Sequence, residues 1–399
     1  MKENLKNYTV IFNGIVLTPV KEIKDGVVVI QDKKIVDVGQ LGELEVPQNA
    51  ILIDAGGNYI TPGMIDIHVN GGNGGDFSKV GPSTFDDAGT FFASHGVTSY
   101  LATAITGSDE DFLQTMDLVR KIIKAGLYKG AEVLGVHMEG PFLSHGQSGA
   151  HPKQFLSVPT LSHYSRFLEY HDVLKKMTIA PELEGSVQLV KDLRYNGIIA
   201  AAGHTDGIYS EMIGAIDAGI THATHSFCNM SHFRRNNLKR VAGAAETLLY
   251  DDRVTGELIG DGWHLEPTLM NLLVKVKGPE RVCFVTDAMP AAGLPDGKHY
   301  IGEVEAIVEN GIARLPDNSA YAGSVTTMDI CLRNGVTLMG LPLTDSLRMC
   351  TLTPAEIIGV AEKKGSIEKN KDADLMIINK DFNVLKTIAR GKLVFASQI

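Results

Sequence analysis

Apolar residues are distributed along this chain in two textures. At both ends they form short runs rich in Val, Ile and Tyr with no helical period: Tyr8–Ile15, Gly26–Ile30 and Lys34–Val38, then Asp374–Ile378, Val384–Ala389 and Leu393–Ala396. Asn13-Gly14 and Asp25-Gly26 punctuate the first group, and such dipeptides supply the positive φ that hairpin turns require. The middle alternates instead. Apolar runs occur at Met64–Val69, Val97–Thr103, Val133–Met138, Met177–Pro181, Gly197–Gly203, Ile220–His225, Gly256–Gly260 and Val282–Thr286. Amphipathic segments such as Asp109–Ala125 and Glu211–Ala218 separate most of them. Eight strand-like runs with helical spacers predict a closed (β/α)8 TIM-type barrel, whose usual size is about 250 residues. A doubly wound open sheet competes, but no Gly-x-Gly-x-x-Gly follows the first run. The expectation is α/β: a barrel over 63–364, inserted into a small β-sandwich domain built from 1–62 and 365–399. Tyr300–Arg314 reads as a hairpin insertion, and Asp329–Leu338 and Pro354–Val360 as closing helices.

Composition narrows the function. Of 399 residues 44% are hydrophobic and 21% charged, as in a globular chain with a sizeable core. The net charge of −10 lacks the basic field that a general nucleic-acid binder needs. An anionic small substrate would need a local cationic pocket, and His232–Arg240 holds Arg234, Arg235, Lys239 and Arg240 without an acid. Cys228, Cys283, Cys331 and Cys350 are far apart and form no CxxC pair. Reduced thiols in a cytoplasmic enzyme are the reading. The first six residues open no apolar leader, and no apolar run is long enough for a membrane span.

The candidate chemistry sits where the runs end. In a barrel the active site forms at the C-terminal ends of the strands. Those ends read His68-Val69-Asn70, His137-Met138-Glu139, Gly203-His204-Thr205, Thr224-His225, Asp261-Gly262-Trp263-His264 and Thr286-Asp287. Unpaired polar groups are costly in a core, so their gathering at one edge points to a site. Glu139, His204 and His225 have the composition of a divalent-metal site, two imidazoles and a carboxylate. Asp287 suits a base that takes the proton of the attacking water. Taken singly, a strand-end histidine is usually a hydrogen-bonded structural residue, and Glu139 could cap a helix. His95, His163, His171 and His299 read as surface residues. His222, three before His225, is expected on the opposite strand face, and His137 behind Glu139.

These motifs resemble the N-acetylglucosamine-6-phosphate deacetylase family of the amidohydrolase superfamily. The resemblance spans nearly the whole chain. It rests on Thr61-Pro62-Gly63-Met64-Ile65-Asp66-Ile67-His68, His95-Gly96-Val97-Thr98, His137-Met138-Glu139-Gly140-Pro141-Phe142, Gly149-Ala150-His151-Pro152, Ala180-Pro181-Glu182, Ala202-Gly203-His204-Thr205, Asp261-Gly262-Trp263-His264, Val285-Thr286-Asp287-Ala288 and Ala322-Gly323-Ser324. It implies one divalent metal on Glu139, His204 and His225, zinc first, with iron, manganese or cobalt as alternatives. It implies Asp287 as catalytic acid/base and substrate contacts from Ala150, His151, His264 and Ala322. The implied reaction is hydrolysis of the 2-acetamido group of an amino-sugar 6-phosphate. The implied assembly is a homodimer in which one subunit lends the other a phosphate contact.

Two departures change what the resemblance implies. Many superfamily members carry His-x-His on the first strand, where this chain has His68-Val69-Asn70; a second metal using His68 stays open. After the sixth-strand histidine the family usually reads Asn-Ala-Met and later Arg-x-Pro-Gly. This chain reads Cys228-Asn229-Met230, then Arg234-Arg235-Asn236-Asn237. Cys228 and Asn229 then line the sugar site, and Arg234 or Arg235 supplies the phosphate cation. The substrate alternatives are N-acetylgalactosamine 6-phosphate, another N-acetyl amino sugar or a non-phosphorylated one. A non-enzymatic sugar-phosphate binder is the remaining reading.

Overall fold

The computed structural model describes residues 7–18 and 21–398, so the reading of the first six residues lies outside the described part. Eight parallel strands form the barrel wall among the described residues: β1 (Met64–Val69), β2 (Val97–Ile105), β3 (Glu132–Glu139), β4 (Leu174–Ile179), β5 (Ile199–Ala202), β6 (His222–Ala223), β7 (Thr255–Ile259) and β8 (Val282–Val285). Neighbours in sequence are neighbours in the sheet. The seam between β8 and β1 is joined around the end of β1 and just past β8. There Asp287 N donates to His68 O at 2.9 Å and Asn70 N to Ala288 O at 2.8 Å.

These strands are covered on both faces, which explains their largely apolar runs. Every residue of β2 is buried. The outer face carries amphipathic helices, including α1 (Thr84–Ser94) and α2 (Asp109–Ala125). α2 starts on a capping box between Ser108 and Asp111 and stops at Gly126, whose φ of 65° suits glycine. The predicted closing helices appear as α3 (Met328–Thr337) and α5 (Leu352–Ile357), with a further helix, α4 (Leu343–Cys350), between them. The predicted hairpin insertion is a three-stranded meander over Gly297–Ile301, Val304–Glu309 and Ile312–Arg314.

Strands from the two ends of the chain pair with each other. In one continuous hydrogen-bonded sheet, Tyr59–Pro62 lies between Tyr8–Leu17 and Leu375–Ile378. Ile60 pairs with Ile377 and Pro62 with Leu375. Ile11, Val16, Val28, Ile30, Ile60, Leu375 and Ile377 fill its own apolar core. A buried ammonium joins this sheet to the barrel: Lys364 Nζ lies 2.7 Å from Glu132 at the start of β3 and 2.6 Å from Asp374.

The barrel interior is unusually polar. Asp66, His68, Thr103, His137, Lys176, Thr178, His222, Glu257 and Thr286 are all buried. Each has partners, as buried polar groups require. His137, for example, lies between the hydroxyls of Thr103 at 3.1 Å and Thr178 at 2.7 Å.

Candidate active site

A cavity of about 270 Å³ opens at the C-terminal ends of the strands. Glu139 is the last residue of β3, and His204, His225 and Asp287 each lie two residues past β5, β6 and β8. The chain bends sharply at the latter three. His204 has φ 48°, His225 φ 27° and Asp287 φ 49°, a left-handed conformation uncommon for non-glycine residues and concentrated at functional sites.

The expected metal set converges. Glu139 Oε1 lies 3.2 Å from His204 Nε2 and 3.0 Å from His225 Nε2, and the two imidazole nitrogens are 3.0 Å apart. His204 Nδ1 is held by the Gln147 carbonyl at 2.8 Å. On the other side of Glu139, His68 Nε2 lies 3.4 Å from Glu139 Oε2 and 3.3 Å from Asp287 Oδ1. His68 Nε2 is buried without a hydrogen-bond partner. His68, Glu139 and Asp287 bring their ligand atoms within 4.8 Å of one another, as do Glu139, His151 and His204.

The charges around these donors fit a cation. Burial opposes ionisation of Glu139, but His68, His204 and His225 outweigh it and hold its carboxyl well below the usual carboxylate range. Burial alone would lower His68; Glu139, Glu257 and Asp287 reverse this and raise it well above the ordinary imidazole value. The acids facing this cluster outnumber Lys176, its one ammonium partner. A nitrogen–oxygen donor set with surplus negative charge and an orphaned imidazole nitrogen suits a divalent metal.

Asp287 is tied down at one oxygen. Asn70 Nδ2 donates to its Oδ1 at 2.7 Å, so Asn70 occupies the second half of the superfamily's His-x-His as a clamp on the candidate base. His151 borders the cavity with Nδ1 2.8 Å from Thr106 Oγ1. Burial, aided by His204 nearby, pushes it down to about 3, so its ring is neutral. His264 is oriented by Asp261, Nδ1 to Oδ2 2.7 Å, and its ring lies 4.5 Å from that of Tyr321. Ala150, Cys228, Asn229, His264 and Ala322 all line the cavity. Burial, with Asp287 and Asp261 near, pushes the Cys228 thiol up, so it is a neutral wall.

Arg234 and Arg235 do not join them. Both lie on an exposed two-stranded hairpin, Arg234–Asn236 paired with Lys239–Val241, outside the residues lining the cavity. Arg234 faces Asp206 at 3.5 Å, and Arg235 donates to the Asn237 carbonyl at 2.7 Å. The expectation for His222 needs correction. β6 is only two residues long and the chain turns at His225, so strand alternation does not carry across the three positions. His222 points into the barrel, Nε2 3.1 Å from Glu257. His95 and His163 are half-buried and paired, with Asp329 at 3.1 Å and Asp109 at 3.0 Å, rather than free surface residues.

Sequence reading missed the role of Asn70 and overlooked Glu257 and Lys176. The usable signal for Glu257 was a lone charge inside the strand run Thr255–Ile259; Lys176 follows Lys175 in Leu174–Ile179, and only burial tells the two lysines apart.

Residues 59–394 match the Amidohydrolase family. The chain is 33% identical over 393 residues to the N-acetylglucosamine-6-phosphate deacetylase of Bacillus subtilis, covering 96% of each chain. Among solved structures, that of the Pasteurella multocida N-acetylglucosamine-6-phosphate deacetylase superposes with a TM-score of 0.91 at 31% identity, over 98% of this chain and 100% of that one. A variant of the Mycobacterium smegmatis enzyme, solved in complex with N-acetyl-D-glucosamine-6-phosphate, superposes with a TM-score of 0.88 at 31% identity, covering 98% and 100%. Strand-end carboxylates and imidazoles, the barrel that gathers them and these matches agree: the chain belongs to the N-acetylglucosamine-6-phosphate deacetylases of the amidohydrolase family.

Proposed function

We propose that this protein hydrolyses the acetamido group of N-acetylglucosamine 6-phosphate, giving glucosamine 6-phosphate and acetate in amino-sugar catabolism. The observation that carries the reading is the meeting of Glu139, His204 and His225 within 3.0–3.2 Å, beside Asp287, in a relative of deacetylases named for that substrate. Glu139, His204 and His225 would hold one divalent metal, zinc first, with iron, manganese or cobalt as alternatives, and His68 with Glu139 and Asp287 offers the donors for a second. When bound, the metal supplies Lewis-acid polarisation of the amide carbonyl and acidifies water.

The remaining work falls to the chain. Asn70 holds Asp287 Oδ1, so Oδ2 is the oxygen that takes the proton of the attacking water. The same carboxyl returns that proton to the sugar nitrogen, which leaves only as the amine. His151, neutral at working pH, offers a hydrogen bond without adding charge to the cluster. Ala150, Ala322, Cys228, Asn229 and His264 form the walls against the sugar. We assign the phosphate to Arg234 or Arg235 acting across a homodimer, because neither guanidinium lines the cavity of its own chain.

We assign the protein to the cytoplasm, where its four free thiols stay reduced. Among the described residues no helix is long and apolar enough to cross a membrane. We also read the joints at 62/63 and 364/365 as the borders of the barrel.

The test is deacetylation of a panel of N-acetyl amino sugars with and without the 6-phosphate. The highest kcat/KM is expected for N-acetylglucosamine 6-phosphate. Preference for a galactosamine or a non-phosphorylated sugar would overturn the substrate and credit the altered Cys228-Asn229 segment with the change.

A further inference from the structure

Beneath the site lies a charged group that the mechanism does not use. Glu257 sits on β7 with its side chain fully enclosed, and Lys176 on β4 is equally buried. Each Glu257 oxygen has two partners. Oε1 accepts from Lys176 Nζ and faces His222 Nε2 at 3.1 Å. Oε2 meets His68 Nδ1 at 2.8 Å and accepts from the backbone N–H of His225 at 3.0 Å. A carboxylate only accepts, so His68 donates through Nδ1 and presents Nε2 to Glu139 and Asp287. The Thr103 and Thr178 hydroxyls satisfy the neighbouring His137, leaving Glu257 as the anchor of His68 Nδ1.

We propose that Glu257, with Lys176 as its counter-charge, is a positioning residue that fixes the ring orientation of His68 and the turn carrying His225. It touches neither substrate nor reacting atoms. It acts by aiming the free nitrogen of His68 at the two carboxylates of the site. A buried ion pair is poor evidence of stabilisation, since well-packed apolar residues often replace one without loss. Its retention here has a geometric use, because an apolar pair would leave His68 Nδ1 and His225 N without an acceptor.

The proposal rests on the metal-hydrolase reading above, and two paired substitutions separate it from a merely structural role. Lys176→Met with Glu257→Gln removes both charges yet leaves a carbonyl oxygen for His68 Nδ1. Lys176→Met with Glu257→Leu removes the charges and the acceptor together. Loss of a residue that orients a ligand typically costs about 10–100-fold in activity or metal affinity. The leucine pair is therefore expected to lose about 10–100-fold in kcat and in cobalt(II) affinity, with KM within about threefold. The glutamine pair should remain within about threefold of the parent in both. A leucine pair at parental kcat and cobalt affinity, or both pairs falling equally, would overturn the positioning role. Should the leucine pair not fold, Glu257→Asp shortens the arm while keeping the charge opposite Lys176. The same losses are then expected, and parental values overturn the role. A parent protein that binds no cobalt and cleaves no N-acetyl sugar would instead defeat the site reading beneath it.

Discussion

Replacing Asp287 by Asn tests the centre of the mechanism with little disturbance to the fold. Asn is one of the few residues that accept a left-handed backbone, so the φ of 49° at this position costs it little. Its side-chain oxygen can keep the 2.7 Å contact from Asn70 Nδ2, leaving the amide nitrogen where the free carboxylate oxygen stood. Glu139, His204 and His225 keep their mutual contacts, so the metal is expected to stay. What disappears is the group that accepts a proton from water and returns it to the leaving amine. General acid–base catalysis by a positioned side chain contributes about 10²–10⁴-fold, equivalent to about 2.7–5.5 kcal/mol in the barrier. Turnover of N-acetylglucosamine 6-phosphate, followed by acetate release, should fall by that factor. Metal content by elemental analysis and the thermal midpoint should match the parent. A variant within threefold of parental kcat would refute Asp287 as the proton carrier. A variant that has lost its metal would show that Asp287 serves chiefly as a ligand.

Three further outcomes follow from particular contacts. Glu139→Gln removes the negative charge and leaves one acceptor oxygen where the carboxylate turns Oε1 to His204 and His225 and Oε2 to His68, so metal content and turnover should both collapse, and excess zinc, manganese or cobalt should restore at most part; full metal content in this variant would contradict the ligand assignment. Gly130→Ala would put its methyl 2.0 Å from the Gly89 carbonyl oxygen, a backbone atom that cannot swing aside, and should cost about 1–3 kcal/mol by denaturant titration, at the scale of core overpacking. Burial holds the Lys277 ammonium down to about 8, below its usual 10.5. Between those values the unfolded chain binds the extra proton, so this residue makes stability rise with pH across that window; Lys277→Met should flatten the rise, and an unchanged slope would refute it.

Much of this molecule is legible in the residue order because its signals are local. The largely apolar runs mark strands buried on both faces, and each of the eight appears within a few residues of where the pattern puts it. The chemistry is legible because Glu139, His204, His225 and Asp287 all follow such runs, and a barrel sends every strand end to one rim. The helix α4 was not legible: its eight residues lie close between two other helices, and short amphipathic segments carry a weak period. His222 was misread because strand alternation presumes a strand longer than two residues.

By itself, the sequence determined the class of fold, the strand-end donors and the chemistry those donors favour, since periodicity and residue type are properties of short segments. Tertiary structure decided everything that needs two distant segments to meet. Closure of the barrel brings Asn70 onto Asp287 across 217 positions and Lys176 onto Glu257 across 81. It also leaves Arg234 and Arg235 outside the cavity that their charge suggested they would line. No local pattern encodes such contacts, because the distance between two side chains is set by how the strands close around the core and not by their spacing along the chain.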